Sequence, residues 1–231
     1  MNGFFNSVVY RAFMTYSTLL FDLDGTLTDP FVGITRSIQH ALERMGAAHI
    51  PEAEDLRWCI GPPLWESFGV LLDSDDRAVQ DRAVAFYRER YTTEGLFENT
   101  IIEGVERLVA DLEASGRRMF VATSKPHTYA ARIIEHFGLL PHFGKVYGSE
   151  LDGTRSAKAD LIAFILEQES IASTDCIMVG DRKHDLIGAK ANKVAALGVT
   201  WGYGSREELE AEHPAAIFDR PQDLGSWVLT G

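Results

Sequence analysis

Short apolar runs that alternate with helical patterns constrain the fold of this chain more than any other feature. Helical patterns lie at Gly104 to Ala114, Thr128 to Phe137, Lys158 to Glu167 and His184 to Ala191. The strand-like runs are Thr18 to Leu23, Met119 to Ala122, Val146 to Gly148, Cys176 to Val179, Ala195 to Val199 and Ala216 to Phe218. Strands that alternate with helices form a parallel sheet with helices on both faces. The sequence therefore predicts an α/β core with a Rossmann-like parallel sheet, and such sheets bind ligands at the carboxyl ends of their strands.

One long region, from about Phe31 to Asn99, breaks this alternation. It contains no convincing strand, and its apolar residues recur at helical spacing. The first of these stripes is Ile34, Ile38, Ala41, Leu42 and Met45. Gly61-Pro62-Pro63 interrupts the middle of the region. The sequence thus predicts an inserted α-helical domain of residues 31–99 and a core formed by residues 1–30 and 100–231.

Two carboxylates follow the first apolar run directly. Asp22 and Asp24 are spaced i, i+2, and Gly25-Thr26 comes next. Paired acids at the end of a buried strand repel each other and lose hydration unless a cation or hydrogen-bond donors compensate. A hard cation such as Mg²⁺, which prefers oxygen ligands, is the simplest compensation. A helix-capping aspartate would explain one of the two acids and leave the other unexplained.

Other polar residues stand at comparable places along the chain. Thr123 and Ser124 end the second apolar run, Lys158 opens a helical pattern, and Asp181 and Asp185 follow the run that begins at Cys176. Each has a local explanation, as a helix cap, a solvated lysine or a turn residue. Their occurrence in order at strand ends and helix starts favours one common site over several unrelated explanations.

These segments together resemble the haloacid dehalogenase (HAD) superfamily. Asp22-Leu23-Asp24-Gly25-Thr26 resembles its motif I, DxDGT. Thr123 matches the hydroxyl of motif II, Lys158 the lysine of motif III, and Gly180 to Asp185 resembles motif IV, GDxxxD. The helical insert resembles the C1 cap of this superfamily. The resemblance implies a phosphoric monoester hydrolase that depends on Mg²⁺.

The resemblance also implies a role for each matched residue. Asp22 would attack phosphorus and form an aspartyl-phosphate, while Asp24 would serve as general acid and base. Thr123 and the adjacent Ser124 would hold phosphate oxygens, and Lys158 would neutralise charge. The metal would be bound by Asp22, the backbone carbonyl of Asp24, and Asp181. Asp185 would be a metal ligand or a neighbour that orients waters or the lysine.

The substrate follows from weaker resemblances. The Gly61-Pro62-Pro63-Leu64 loop and the stretch from Trp201 to Leu209 are similar to the phosphoglycolate-phosphatase-like branch, which includes proteins described as 5′-nucleotidases. A 5′-nucleotide is therefore favoured, with phosphoglycolate next. A β-phosphoglucomutase-type mutase is the alternative, and a non-enzymatic binding protein is a third. Arg36 and Leu64 are candidate substrate contacts, although a solvated helix face explains Arg36 equally well.

Composition limits the partners and the compartment. The chain has 231 residues and a formal net charge of -12, which argues against nucleic-acid polymers and anionic membranes as partners. A small phosphorylated metabolite remains compatible with that charge. Cys59 and Cys176 stand far apart, and no stretch of the sequence is apolar for long enough to span a bilayer. Met1 to Tyr16 lacks the pattern of a signal peptide, while Met14 offers another start. We expect a cytoplasmic monomer or homodimer.

Overall fold

The computed structural model describes residues 16–230, so the expectations for residues 1–15, including the start at Met14, lie outside the described residues. The strands are β1 (Thr18–Phe21), β2 (Thr28–Asp29), β3 (Thr100–Ile101), β4 (Arg118–Pro126), β5 (Lys145–Ser149), β6 (Cys176–Gly180), β7 (Ala195–Val199) and β8 (Ala216–Phe218). The α-helices are α1 (Phe31–Met45), α2 (Leu64–Leu71), α3 (Arg77–Arg90), α4 (Val105–Ala114), α5 (His127–His136), α6 (Lys158–Gln168), α7 (Lys183–Ala191), α8 (Arg206–Glu210) and α9 (Pro221–Thr230).

Six of these strands form one parallel sheet in the order β5-β4-β1-β6-β7-β8. β1 occupies the interior of the sheet, and the chain adds β4 and β5 on one side of it and β6 to β8 on the other. In register, Phe21 lies between Val121 and Val179, so the residues after all three strands meet at one edge. A change in the direction of strand addition opens a crevice at that edge. The predicted α/β core with a parallel sheet is confirmed.

Alternate side chains of β1 serve two separate hydrophobic layers. Leu19 and Phe21 pack into the layer that contains residues of α4, α5 and α9, whereas Leu20 packs with residues of α6, α7 and α8. This division follows from the two-residue period of a strand. All four residues of β1 are buried, as expected of a strand covered by helices on both faces.

The helical insert leaves the core and returns to it through a short antiparallel ribbon. β2 pairs with β3, with Thr28 opposite Ile101. Between these strands lie α1, α2 and α3, a 3₁₀ turn at Glu54–Cys59 and a π turn at Tyr91–Gly95. We call residues 31–99 the cap, and the division of the chain at these residues stays a prediction.

Several elements were absent from the sequence prediction. β2 and β3 have two residues each, too few to show a strand period. The terminal helix α9 was also not predicted. Across residues 16–230, the structure contains no helix with the length and apolar character needed to cross a membrane.

Candidate active site

The turn after β1 brings the first two acids to the edge of the sheet. The backbone N–H of Asp22 donates to the Val179 carbonyl at 2.9 Å, which extends the pairing with β6 by one residue. Gly25 has a φ of 85°, in the left-handed region that favours glycine. A Cβ at Gly25 would also lie 2.3 Å from Oδ2 of Asp181. Glycine is therefore needed both for the turn and for the close approach of Asp181.

Three carboxylates converge beside this turn. Asp22, Asp181 and Asp185 are buried, and each offers one oxygen within 4.8 Å of the others. Asp181 accepts hydrogen bonds from the Thr26 hydroxyl at 3.3 Å and from the Tyr203 backbone N–H at 2.7 Å. Burial, together with the charges of Asp22 and Asp185, raises the pKa of Asp181 well above its ordinary value. Burial raises the pKa of Asp185 to about 6, although a neighbouring ammonium opposes the rise.

That ammonium is Lys158, at the start of α6. Its Nζ donates to Asp22 Oδ1 at 2.9 Å and to the Ala122 carbonyl at 2.8 Å, and lies 2.7 Å from Asp185 Oδ1. Burial alone would lower the pKa of Lys158, but the charges of Asp185 and Asp22 outweigh burial and raise it. Lys158 therefore stays protonated at neutral pH.

The charge balance of this cluster fits a divalent cation. Three buried carboxylates face one ammonium, and Asp181 makes no ion pair within 4.0 Å in the part of the chain that the structure describes. Buried carboxylates need paired charge or a metal to remain ionised. Oxygen ligands without histidine or cysteine suit a hard cation better than zinc.

Asp24 stands apart from this cluster and is paired with Lys125. The Lys125 Nζ lies 2.8 and 2.7 Å from the two carboxylate oxygens, and it donates to the Tyr91 hydroxyl at 2.6 Å. Burial raises the pKa of Asp24, while the charge of Lys125 opposes the rise. Neither Lys125 nor Tyr91 was predicted from the sequence as a site residue. The position of Lys125, two residues after Thr123, was a usable signal, because it shares the strand end with the other site residues.

The hydroxyls predicted at the end of β4 are also at this edge. Thr123 is buried, and its Oγ1 accepts a hydrogen bond from the Lys125 backbone N–H at 3.2 Å. The Ser124 carbonyl accepts from the Ser149 hydroxyl at 2.8 Å, which fixes the loop. Both residues line a cleft that also contains Asp22, Asp24 and Lys158. The structure thus brings the predicted core residues together.

This cleft, which is open to solvent, lies between the strand ends and the cap. The cap side is largely apolar and aromatic. Leu64, a candidate substrate contact, is one of its lining residues; the others include Ile34, Trp65, Tyr87 and Tyr91. Hydrogen bonds join the cap to the core around the cleft. The Arg182 Nη1 donates to the Ile60 carbonyl at 2.7 Å, and the Arg88 Nη2 donates to the Leu151 carbonyl at 2.6 Å.

The structure does not bring Arg36 to this cleft. Its side chain is 58% exposed and forms an ion pair with Glu98 at 2.7 Å, and it is absent from the cleft lining within residues 16–230. Arg36 is thus an exposed residue of α1 outside the cleft lining, which agrees with the solvated alternative.

Arg88 of α3 lines the cleft instead. Its Cζ lies 5.6 Å from the centre of a Trp65 ring. Among the residues described, its Nε is buried without a hydrogen-bond partner, and its guanidinium has no carboxylate within 4.0 Å. The sequence offered no signal for it, because α3 carries four arginines and nothing in their spacing separates them.

Comparisons with known proteins cover nearly all of the described chain. The family described as haloacid dehalogenase-like hydrolase matches residues 19–199. A 5′-nucleotidase of Pseudomonas aeruginosa is 47% identical over 203 residues, which is 88% of this chain and 91% of that protein. The tyrosine-protein kinase PtkA of Mycobacterium tuberculosis is 37% identical over 213 residues, 90% of this chain and 72% of that protein. A crystal structure described as a predicted phosphatase from Clostridium acetobutylicum matches with a TM-score of 0.89 and 38% identity, over 94% of this chain and 99% of that one.

Proposed function

The chain belongs to the haloacid dehalogenase-like hydrolase family, and on that premise we propose that it is a Mg²⁺-dependent phosphatase that hydrolyses small phosphomonoesters through an aspartyl-phosphate. The predicted superfamily and the predicted class of enzyme, a phosphoric monoester hydrolase, are confirmed. The observation that carries the mechanism is the placement of Asp22, Asp24 and Lys158 at one end of the cleft between the strand ends and the cap.

The first step is a transfer of the phosphoryl group to Asp22. A carboxylate oxygen of Asp22 forms a bond to phosphorus while the bond to the ester oxygen breaks. Asp24 gives its proton to the departing oxygen, and burial favours the protonated form that this requires. Lys158 lies 2.9 Å from Asp22 and would neutralise charge on the phosphoryl oxygens, with the Thr123 and Ser124 hydroxyls as hydrogen-bond donors.

The second step returns the enzyme to its starting state. Asp24, now ionised, takes a proton from a water molecule that attacks phosphorus, and the bond from phosphorus to Asp22 breaks. Inorganic phosphate leaves, and Asp24 is protonated again. The same residue thus acts as acid and then as base, which needs an orientation that serves both the leaving oxygen and the water.

The metal would be held by Asp22, Asp181 and Asp185, with the backbone carbonyl of Asp24 as a further ligand. When bound, Mg²⁺ supplies positive charge that stabilises the transferring phosphoryl group. The oxygen-only cluster and its deficit of positive charge support this assignment.

For the substrate, we favour a 5′-nucleotide, with phosphoglycolate next. The 47% identity to a protein named 5′-nucleotidase supports the first choice. The cap side of the cleft supports it as well, because the half-buried Trp65 offers the kind of aromatic surface against which a nucleobase packs. The protein's partner is then a small phosphorylated metabolite.

The proposal is tested by measuring phosphate release from a panel of 5′-nucleotides, phosphoglycolate and sugar phosphates with Mg²⁺ present. A phosphatase releases phosphate from at least one class with multiple turnovers. Conversion of β-glucose 1-phosphate to glucose 6-phosphate faster than phosphate release would instead identify the mutase alternative. Absence of both reactions across the panel would contradict the proposed activity.

Arg88 should influence which substrate is preferred. Arg88→Gln removes a cleft-lining charge that lacks a carboxylate partner among the described residues. We therefore expect the ratio of kcat/KM between the preferred substrate and the others to change by about tenfold, which is typical of a lost charge-assisted hydrogen bond. Arg36→Gln is the matched control on the exposed face of α1, and it should leave the ranking unchanged. A changed ranking in Arg36→Gln, with none in Arg88→Gln, would restore the prediction made from the sequence.

Asp24→Asn should discriminate between leaving groups. An alkoxide needs a proton as it leaves, whereas a p-nitrophenolate hardly does, so the variant should slow the phosphorylation step for an alkyl phosphate far more than for an aryl phosphate. General acid help is worth about 10²–10⁴-fold, which sets the expected difference. Single-turnover release of alcohol and of phenolate measures this step without interference from dephosphorylation. Equal slowing of both substrates would mean that Asp24 is not the acid.

A further inference from the structure

Lys125 connects Asp24 to the cap. Its Nζ contacts both carboxylate oxygens of Asp24 at 2.8 and 2.7 Å, and it donates a hydrogen bond to the Tyr91 hydroxyl at 2.6 Å. Lys125 belongs to β4, two residues beyond Thr123, whereas Tyr91 begins the π turn that follows α3. One ammonium group therefore joins the turn after β1, the end of β4 and the cap.

Burial argues against a purely stabilising role for this ion pair. The side chains of Lys125 and Asp24 are only 6% and 11% exposed. At that depth the cost of removing two charges from water offsets most of their attraction, and apolar residues of similar volume stabilise a fold equally well or better. A structural role alone thus gives little reason for an ion pair here.

Tyr91 is held firmly enough to act as a fixed point. Its ring is almost fully buried, stacks on Tyr87 with centroids 5.0 Å apart and meets Tyr129 at 6.0 Å. The hydroxyl therefore has a defined position with respect to the cap. Because Lys125 contacts both this hydroxyl and Asp24, a displacement of the cap would remove one of the contacts that position the ammonium.

We propose that Lys125 and Tyr91 are positioning residues that orient the Asp24 carboxyl group for proton transfer, and that Tyr91 makes this orientation depend on the closed position of the cap. This inference rests on the acid and base role given to Asp24 above. Lys125 and Tyr91 do not take part in bond making; they act through Asp24.

The test is a double-mutant cycle read with two leaving groups. Lys125→Met, Asp24→Asn and the double variant are compared in single-turnover phosphorylation by an alkyl phosphate and by an aryl phosphate. Lys125→Met should slow the alkyl reaction about tenfold or more and the aryl reaction less than about threefold, since it loses part of the general acid help. In the Asp24→Asn background, Lys125→Met should add no further loss, because residues that act through one group are not additive. Losses that multiply would overturn the proposal, since Lys125 would then act on the substrate or on the fold.

Tyr91→Phe examines the contribution of the cap. It keeps the ring and removes the hydroxyl, so it should slow the alkyl reaction selectively, by about threefold or more. The effect should be smaller than that of Lys125→Met, because Lys125 still contacts Asp24 in this variant. Tyr147→Phe is the matched control. It deletes a hydroxyl that does not line the cleft and that donates a hydrogen bond of 2.6 Å to Glu169, so it should affect both substrates equally. Equal slowing of both substrates by Tyr91→Phe would refute the dependence on the cap.

The variants also distinguish a failure of the positioning role from a failure of the acid and base mechanism. Thermal unfolding shows whether each variant is folded. If Lys125→Met does not fold, the double-mutant cycle of Tyr91→Phe with Asp24→Asn tests the proposal instead. If Asp24→Asn discriminates between the leaving groups while Lys125→Met and Tyr91→Phe do not, only the positioning role is wrong. If Asp24→Asn itself slows both substrates equally, the acid and base mechanism is wrong.

Discussion

Asp22→Asn is expected to abolish turnover while the fold is retained. An amide oxygen is a poor nucleophile, so no aspartyl-phosphate should form, and loss of a nucleophile of this kind typically lowers kcat by about 10⁴–10⁶-fold. The fold should tolerate the change, because Asn has the same shape and its neutral side chain relieves repulsion with Asp181 and Asp185. Steady-state phosphate release and thermal unfolding measure the two effects.

The matched control for this variant is Asp175→Asn. Asp175 is exposed and precedes β6 at the opposite, amino-terminal edge of the sheet, so the same chemical change there should leave turnover unaffected. A folded Asp22→Asn protein with near wild-type turnover would eliminate the covalent mechanism.

Removal of divalent metal is expected to have a comparably large effect. After exhaustive chelation turnover should fall to background, and Mg²⁺ should restore it. Ca²⁺ should not, because its larger and looser coordination misplaces the nucleophile. Full activity of the chelated protein would contradict the assignment of the acid cluster.

Metal binding should also be visible without catalysis. A ligand that binds only the folded state at 100 times its Kd stabilises that state by about 2.7 kcal/mol, so Mg²⁺ should raise Tm. Asp181→Asn should lose this response, whereas Asp175→Asn should keep it. Because burial raises the pKa of Asp185 to about 6, protons compete with the metal below that pH. The stabilisation by Mg²⁺ should accordingly weaken as the pH falls, because Asp185 and Asp181, whose pKa is also raised, both take up protons in competition with the metal. A response independent of pH would contradict metal binding by these two carboxylates.

The core of the site could be predicted from the sequence because the fold leaves little choice there. Parallel strands in register end at one edge, so Asp22, Thr123 and Asp181 must meet once the apolar runs are recognised as strands. Glycine at position 25 then lets the chain turn sharply enough for Asp24 to remain near them. The strand period and the order of the motifs are therefore enough to predict that these residues lie together.

The cap residues that reach the cleft could not be predicted in the same way, since packing of the helices decides which side chains face it. Arg36 and Arg88 both lie on helices, and only the orientation of α1 and α3 above the strand ends decides which of them reaches the cleft. The contact of Lys125 with Tyr91 likewise joins residues from different parts of the fold, and no local pattern indicates it. The backbone N–H of Tyr203 that supports Asp181 leaves no trace in a sequence, because every residue except proline carries that donor.

The ribbon of β2 and β3 makes the parallel sheet and the cap structurally separable. Because Thr28 pairs with Ile101, the chain departs from the core and rejoins it at nearly one point, whatever the length of the segment between. The entropic cost of closing that segment grows only slowly with its length, and the ribbon holds its ends together. Insertions, deletions or wholesale replacement between these two residues therefore impose little strain on the turn that carries Asp22 and Asp24. A chain built this way could replace the cap without moving the turn, but the replacement would have to supply a partner for Lys125 in place of Tyr91.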